Sequence, residues 1–231
     1  MLRSTPLTSL WTRKSVCNKL LATVVSPRSV KLSSFNGTTS HQLQSWLESN
    51  GVDTSGYGSG LAKTISELFE ETGKRESILD LEGGRALRVV RVLSLYVINE
   101  KGQVLFEEEQ VLPDGRSRFR NVALSEKLIG DEDWRHAVDR AVKEELGSIL
   151  PSGYKITVLE DTYKLLTHQS NSMSYPNLTT KYIIHRVSAN VTDIPQEPFS
   201  THEPRPGGRL TTKWVWRCLS PDLQTNVLTT S

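Results

Sequence analysis

One stretch constrains this chain more than any other: Asp131 to Leu146, an amphipathic helix pattern set between β-patterned segments on both sides. Trp134, Val138, Ala141, Val142 and Leu146 fall on one stripe at helical spacing, the face a helix buries against its neighbours. Asp131, Glu132 and Asp133 stand at its start, where negative charge favours the helix dipole, and Gly147 marks its end. Upstream, Leu87 to Val97 is rich in Val and Leu, Asn99 to Gly102 reads as a turn, and Gln103 to Gln110 alternates Val104 and Phe106 with polar positions. Pro113-Asp-Gly115 predicts a second turn and Ser117 to Leu124 a further strand. Downstream, Lys155 to Leu166, Thr180 to Val187 and Thr211 to Cys218 read as strands. Sheet, one helix, then more sheet predicts a mixed α/β domain rather than a βαβ repeat.

A helical preface comes before the sheet. His41 to Asn50 carries Leu43, Trp46 and Leu47 on one side and stops at Asn50-Gly51. Leu61 to Thr72 predicts a second helix with Leu61, Ile65, Leu68 and Phe69 as its apolar face and Gly73 as its end. The Gly-Ser loop between them lacks the lysine and preceding strand of a phosphate loop and reads as a turn.

Charge divides the chain. No Asp or Glu precedes Glu48, whereas Arg3, Arg13, Lys14, Lys19, Arg28 and Lys31 all do. With Ser and Thr abundant there as well, residues 1–40 have the composition of a leader addressing a plastid or mitochondrion. Setting those six cations aside, the 28 basic residues of the chain fall below its 26 acidic ones, so the body is mildly acidic. That argues against a nucleic-acid backbone as partner. No apolar run approaches the roughly 20 residues of a membrane helix. Cys17 lies in the leader, so Cys218 alone remains and an internal disulfide is not expected of the body. The expected divisions are residues 1–40, a preface over 41–84, the α/β domain over 85–220 and a tail over 221–231.

Several clusters invite chemistry and have plainer readings. Trp214 and Trp216 share one face of the last strand, as core packing or as a stacking platform. Glu107-Glu-Glu109 reads as an exposed strand edge. His136, His168, His185 and His202 show no metal-ligand spacing. Glu144 and Glu145 end the central helix, where negative charge opposes the dipole, and the Arg140–Glu144 spacing offsets only a few tenths of a kcal/mol. Two unfavourable charges there call for a reason.

The run RAVKEELGSI resembles the core of the Nudix signature: Gly, five residues, Glu, seven residues, then Arg-Glu-aliphatic-x-Glu-Glu-x-Gly-aliphatic. Aligned on Arg140, the matches are Glu132, Arg140, Val142, Glu144, Glu145 and Gly147. Three positions depart: Glu126 stands for the leading Gly, Ala141 for the Glu after the Arg, and Ser148 for the last aliphatic residue. The rest of the body is similar to a group of Nudix-like proteins of plants and algae, through GVDTSGYGSGLAKTISEL, LSEK, EELG, SYPNLTTKYIIH, FSTHE and WVW.

The resemblance implies a Nudix-type α/β/α sandwich with a mixed sheet, preceded by a short helical extension. It implies Mg²⁺ or Mn²⁺ held by Glu144 and Glu145 with Glu132 assisting, Arg140 orienting them, and hydrolysis of a nucleoside diphosphate derivative. The ion could also draw on Glu107 to Glu109, or on Glu160 and Asp161 if their strand passes the site. Ala141 removes a carboxylate one turn before Glu145, and Glu126 puts a side chain where glycine lets backbone approach a metal. A second reading follows from those losses: a catalytically weak Nudix-like module that binds a nucleotide-like metabolite or a partner.

Overall fold

The computed structural model describes residues 34–205 and 207–219. Helix α1 (Ser40–Ser49) starts at Thr39, whose hydroxyl accepts the Gln42 N–H at 3.2 Å. Helix α2 (Ile65–Gly73) starts at a capping box: the Thr64 hydroxyl accepts the Glu67 N–H and the Glu67 carboxylate accepts the Thr64 N–H. The cap places the first helical residue at Ile65. Leu61, expected on the helix face, instead lies in the preceding turn and is 70% exposed.

The sheet has eight strands: β1 (Ile78–Glu82), β2 (Arg85–Val97), β3 (Val104–Val111), β4 (Ser117–Lys127), β5 (Ile156–Asn171), β6 (Thr179–Val191), β7 (Phe199–Arg205) and β8 (Gly208–Arg217). Its order is β5-β6-β2-β4-β3-β8-β7, with β1 added on β2. The β2–β6 ladder, from Leu87↔Thr179 to Val97↔Ala189, is parallel; the other ladders are antiparallel. The molecule is therefore mixed α/β, as the alternation of patterns predicts. One strand belongs to both halves of the sheet: Leu124–Lys127 of β4 pairs with β2, and Ser117–Ala123 pairs with β3. In that second half the register slips between Glu107 and Glu109, and Asn121 takes a left-handed conformation (φ 54°) opposite the slip.

Helix α3 (Trp134–Leu146) covers one face of the sheet. Asp133 caps it by accepting the Arg135 N–H at 2.8 Å, so Asp131 and Glu132 precede the helix rather than forming its first turn. Its stripe is buried as predicted and packs on Leu93, Leu95 and Val97 of β2. Gly147 keeps ordinary helical angles (φ −58°), and a Cβ there would stand 2.2 Å from the Lys143 carbonyl oxygen; close approach, not a left-handed turn, is why glycine sits there. Trp214 lies in the same core, with Nε1 donating to Thr201 Oγ1 at 2.8 Å, which excludes it as an open stacking platform. Trp216 packs against that core and donates to the Pro195 carbonyl.

The preface is part of the folded body. Leu43, Leu47 and Leu68 form a second core with Leu79, Ala86, Tyr175 and Leu178, and β1 continues the preface into the sheet. The leader expected over residues 1–40 lies outside the described residues up to 33, and the expected tail lies wholly outside them. Residues 34–40 belong to the body: the Ser34 N–H donates to the Leu79 carbonyl at 2.7 Å and Phe35 is buried. Among the described residues no helix is long and apolar enough to cross a membrane.

Candidate functional site

Arg140 is the centre of the box residues. It lies on α3, with Nε and Nη2 donating to the two Glu132 oxygens at 3.0 and 2.9 Å and Nη2 also donating to the Lys127 carbonyl at 2.6 Å. Nη1 stands 3.3 Å from both Glu126 and Glu144 carboxylates. Hydrogen bonding to Glu132, then the charge of Glu126, raises the guanidinium above the ordinary arginine value. Burial works against the Glu132 charge, but bonds from Arg140 and the Ile129 N–H bring its carboxyl below the ordinary value. Arg140, Glu132 and Glu144 are thus brought together, and Glu126 joins them.

Glu145 is turned elsewhere. It follows Ala141 by one turn, and Ala141 is fully buried in the core under α3. Burial, then the charges of Glu107, Glu126 and Glu203, pushes the Glu145 carboxyl up to about 7, with Arg120 offsetting part. Glu107 is buried on β3, an interior strand between β4 and β8, so the expectation of an exposed edge for Glu107 to Glu109 is corrected. Burial raises the Glu107 carboxyl as well, against Arg120 and Arg118. Arg120 Nε stands 2.9 Å from Glu107 Oε1, yet the geometry makes this an ion pair without a hydrogen bond, and both atoms are buried with no hydrogen-bond partner.

In this structure Glu132, Glu144 and Glu145 do not converge on one point. Glu132 has its oxygens committed to Arg140 and Ile129, Glu144 is 53% exposed on the far side of Arg140, and Glu145 faces Glu107 and Glu126. Among the described residues no three His, Cys, Asp or Glu side chains converge well enough to hold a metal ion. Glu160 pairs with Arg135 at 2.7 Å on the solvent side, away from Glu145's neighbours, and Asp161 is exposed beside it. These residues do not fit Mg²⁺ or Mn²⁺ as the resemblance would place it. His185 lies buried on β6; it shares a hydrogen bond with Tyr163 Oη, and burial holds its imidazole down to about 4.

Glu145 is a source of instability that one substitution relieves. Between pH 4.5 and about 7 the folded chain keeps a proton that the unfolded chain has released. Its favourable contribution is complete below pH 4.5 and lost as pH rises through 7. Glu145→Gln is expected to raise stability by about 1–2 kcal/mol at pH 8, discounted for partial exposure, and to change little at pH 4. Urea unfolding at the two pH values measures both.

On the other face of the sheet lies a cavity of about 310 Å³. Its floor is apolar, from Val90, Val92 and Ile184, residues that alternate with the α3-facing positions of their strands. Lys63, Arg88, Arg118, Arg120 and Lys127 line it together with Glu71; Glu126 borders it too, but its carboxylate is drawn to Arg140 on the α3 face. Glu71 of α2 is buried and bound by Arg88 Nη2 (2.6 Å), Lys63 Nζ (2.8 Å) and Lys127 Nζ (2.9 Å), with Tyr175 Oη and Ser77 Oγ donating at 3.0 Å. Burial opposes its charge, yet Arg88, Lys127 and Lys63 hold the carboxyl well below the ordinary range. Arg118 hydrogen-bonds the neutral Gln110 amide oxygen at 2.9 and 2.5 Å and makes no ion pair among the described residues. Partial desolvation and the neighbouring Arg120 push its guanidinium below the ordinary value, although the residue as a whole stays exposed.

Sequence reasoning missed this cavity. The one signal was Glu71, three residues after Leu68 and so on the apolar side of α2. No protein-family model matches the chain, and no curated protein matches it. The Nudix resemblance therefore stands on the box residues and body motifs quoted above.

Proposed function

We propose that this chain is a Nudix-like binding module whose ligand is a phosphorylated small molecule of the nucleoside diphosphate class, with hydrolysis weak or lost. The observation that carries this reading is the charge around the cavity. Five cations line it, three are held in place by Glu71, and Arg118 makes no ion pair among the described residues. Cations fixed in advance bind an anion at lower entropic cost than free side chains do, and guanidinium groups match phosphate oxygens in pairs. The cavity volume lies at the lower end of the range for small-molecule sites.

What the box residues do supports binding over turnover. Arg140 clasps Glu126, Glu132 and Glu144 into a salt-bridge cluster that ties Lys127 and the strand end to α3. Lys127 is also a cavity residue, so the cluster positions the cavity wall. A hydrolase reading is favoured by a separate observation, the carboxyl of Glu145 held near neutrality beside Glu107, where a group of that kind takes up a proton readily.

The test uses inorganic pyrophosphate as the anion probe. Calorimetry on the full chain is expected to show binding that weakens with added salt and falls about tenfold in Arg118→Gln or Arg120→Gln. No binding at low salt sinks the reading. Strong turnover of a nucleoside diphosphate derivative with Mg²⁺ or Mn²⁺, abolished by Glu145→Gln, would replace it with the hydrolase.

A further inference from the structure

The edge of a sheet carries unpaired backbone N–H and C=O groups, and folded proteins guard it with charge, proline, bulges or short length. Among the described residues β1, β5 and β7 lie at an edge. β7 carries Glu203, Pro204 and Arg205, and β1 is five residues long with Asp80 and Glu82 among them. β5 is guarded over its first half, where Glu160 and Asp161 are exposed and the register slips between Leu159 and Lys164. Its second half is not. From Lys164↔Arg186 to Asn171↔Thr179 the ladder to β6 runs without a break, and Leu165 to Asn171 holds no acid, lysine, arginine, proline or glycine.

The side chains of this half stand open as well. None is buried; Leu165, 47% exposed, and Thr167, also exposed, lie on the α3 face, while Leu166 and His168 alternate onto the cavity face. Gln169 donates its amide to Glu82 at 3.1 Å, a side-chain contact that pairs none of the backbone. An edge without charge offers a foreign strand little to be selected by, but it is complementary to itself. Two copies related by a two-fold axis pair antiparallel and close as a dimer. Opposite residues must share a face of the joined sheet, so the axis passes through a residue and not between two. At Thr167 it sets two threonines opposite each other and Lys164 opposite the partner's Ser170, with the two Lys164 positions on the order of 20 Å apart. At His168 it would oppose two imidazoles and shorten the ladder.

We infer that Lys164–Asn171 of β5 is a docking edge for a second copy of this chain, joined antiparallel about a two-fold axis at Thr167 into one continuous sheet. The cavity is completed by it. His168 lines the cavity from the outermost strand and comes opposite the partner's Leu166, so each copy adds an apolar wall beside the other's cavity. The dimer stands or falls separately from anion binding.

Sedimentation of the full chain from about 1 to 200 µM is expected to show a monomer–dimer equilibrium, since an edge ladder buries less than a standard interface. Thr167→Lys opposes two ammonium groups at the axis and is expected to weaken the dimer about tenfold. Leu165→Lys charges the edge away from the axis and is expected to weaken it too. Both positions are exposed, and thermal melting checks that the variants fold. In a Cys17→Ser, Cys218→Ser background, Thr167→Cys is expected to form a disulfide-linked dimer in air, because directly opposite Cα atoms stand about 4.5–5.5 Å apart. Lys164→Cys in the same background is expected to stay unlinked. A chain that is monomeric at every concentration overturns the inference. So does a dimer that neither lysine variant weakens, or one in which Lys164→Cys links as readily as Thr167→Cys.

Discussion

Glu71→Ala is expected to cost about 3–5 kcal/mol of stability, the largest single loss among the residues of this site. The reason lies in what is left behind. Arg88 is buried, its guanidinium lies 5.0 Å over the Tyr175 ring, and the Glu71 carboxylate is its ion-pair partner at 2.6 Å. Without that carboxylate a buried cation has no charge to face, and Lys63 and Lys127, which bind the same carboxylate at 2.8 and 2.9 Å, are left beside it as like charges. Glu71→Gln keeps the shape and some hydrogen bonds and is expected to fall between the variant and the wild type. The carboxyl is held below its ordinary value, so its contribution is present above the unfolded value of 4.5 and is lost as pH falls through the lower folded value. Urea unfolding at pH 8 and below pH 4 should therefore show the wild type approaching Glu71→Gln in acid. An equal gap at both pH values would refute the ion-pair account.

Arg140→Leu is the second large effect, expected at about 2–4 kcal/mol at pH 8. The guanidinium faces Glu126, Glu132 and Glu144, and removing it takes a cation from three carboxylates and a donor from the Lys127 carbonyl. The Glu126 and Glu132 carboxyls, which Arg140 holds down, then rise in the folded state, and stability is lost as pH climbs through them. The penalty should shrink as the acids are protonated below pH 5. A penalty that stays constant with pH would mean that Arg140 acts by packing its chain and not by charge. Because Glu126 now fills a contact on Arg140, the substitution at the leading position of the box has become part of the cluster's structure.

The fold was legible where one period ran long enough. The α3 stripe and the β2 and β3 runs with the Asn99–Gly102 turn stand out because local chemistry and burial agree. Strand β7 did not stand out, since Pro204 inside FSTHEPR argues against a strand; it is tolerated because β7 is an outer strand. Strand β1 is five residues with acids at two of them, and only its pairing with β2 makes it a strand. The start of α2 was legible in principle, since Thr64 and Glu67 have capping-box spacing, but the apolar Leu61 pulled the boundary forward.

The site was legible in proportion to sequence distance. Arg140, Glu132 and Glu144 lie within twelve positions of one another on or beside one helix, so spacing alone groups them. Glu71 bonds Arg88 across 17 positions and Tyr175 across 104, and no local pattern reports that. Glu145 parted from Glu144 because neighbours on a helix point about 100° apart, and the sheet, unseen in the sequence, decides which of them meets Glu107.

The parallel β2–β6 ladder has a consequence for how the molecule is made. Val90 and Tyr182 are neighbours in the cavity floor but are synthesised 92 positions apart, and the register does not close until Ala189. Such distant pairing is slow to form, because a long loop must close before any contact rewards it. A nascent chain that has already emerged through α3 still lacks one half of the cavity floor and the partner of Glu71 at Tyr175. Its β2 edge waits open over that interval, Val- and Leu-rich and unpaired, which is the period when this protein is most exposed to pairing with the wrong strand.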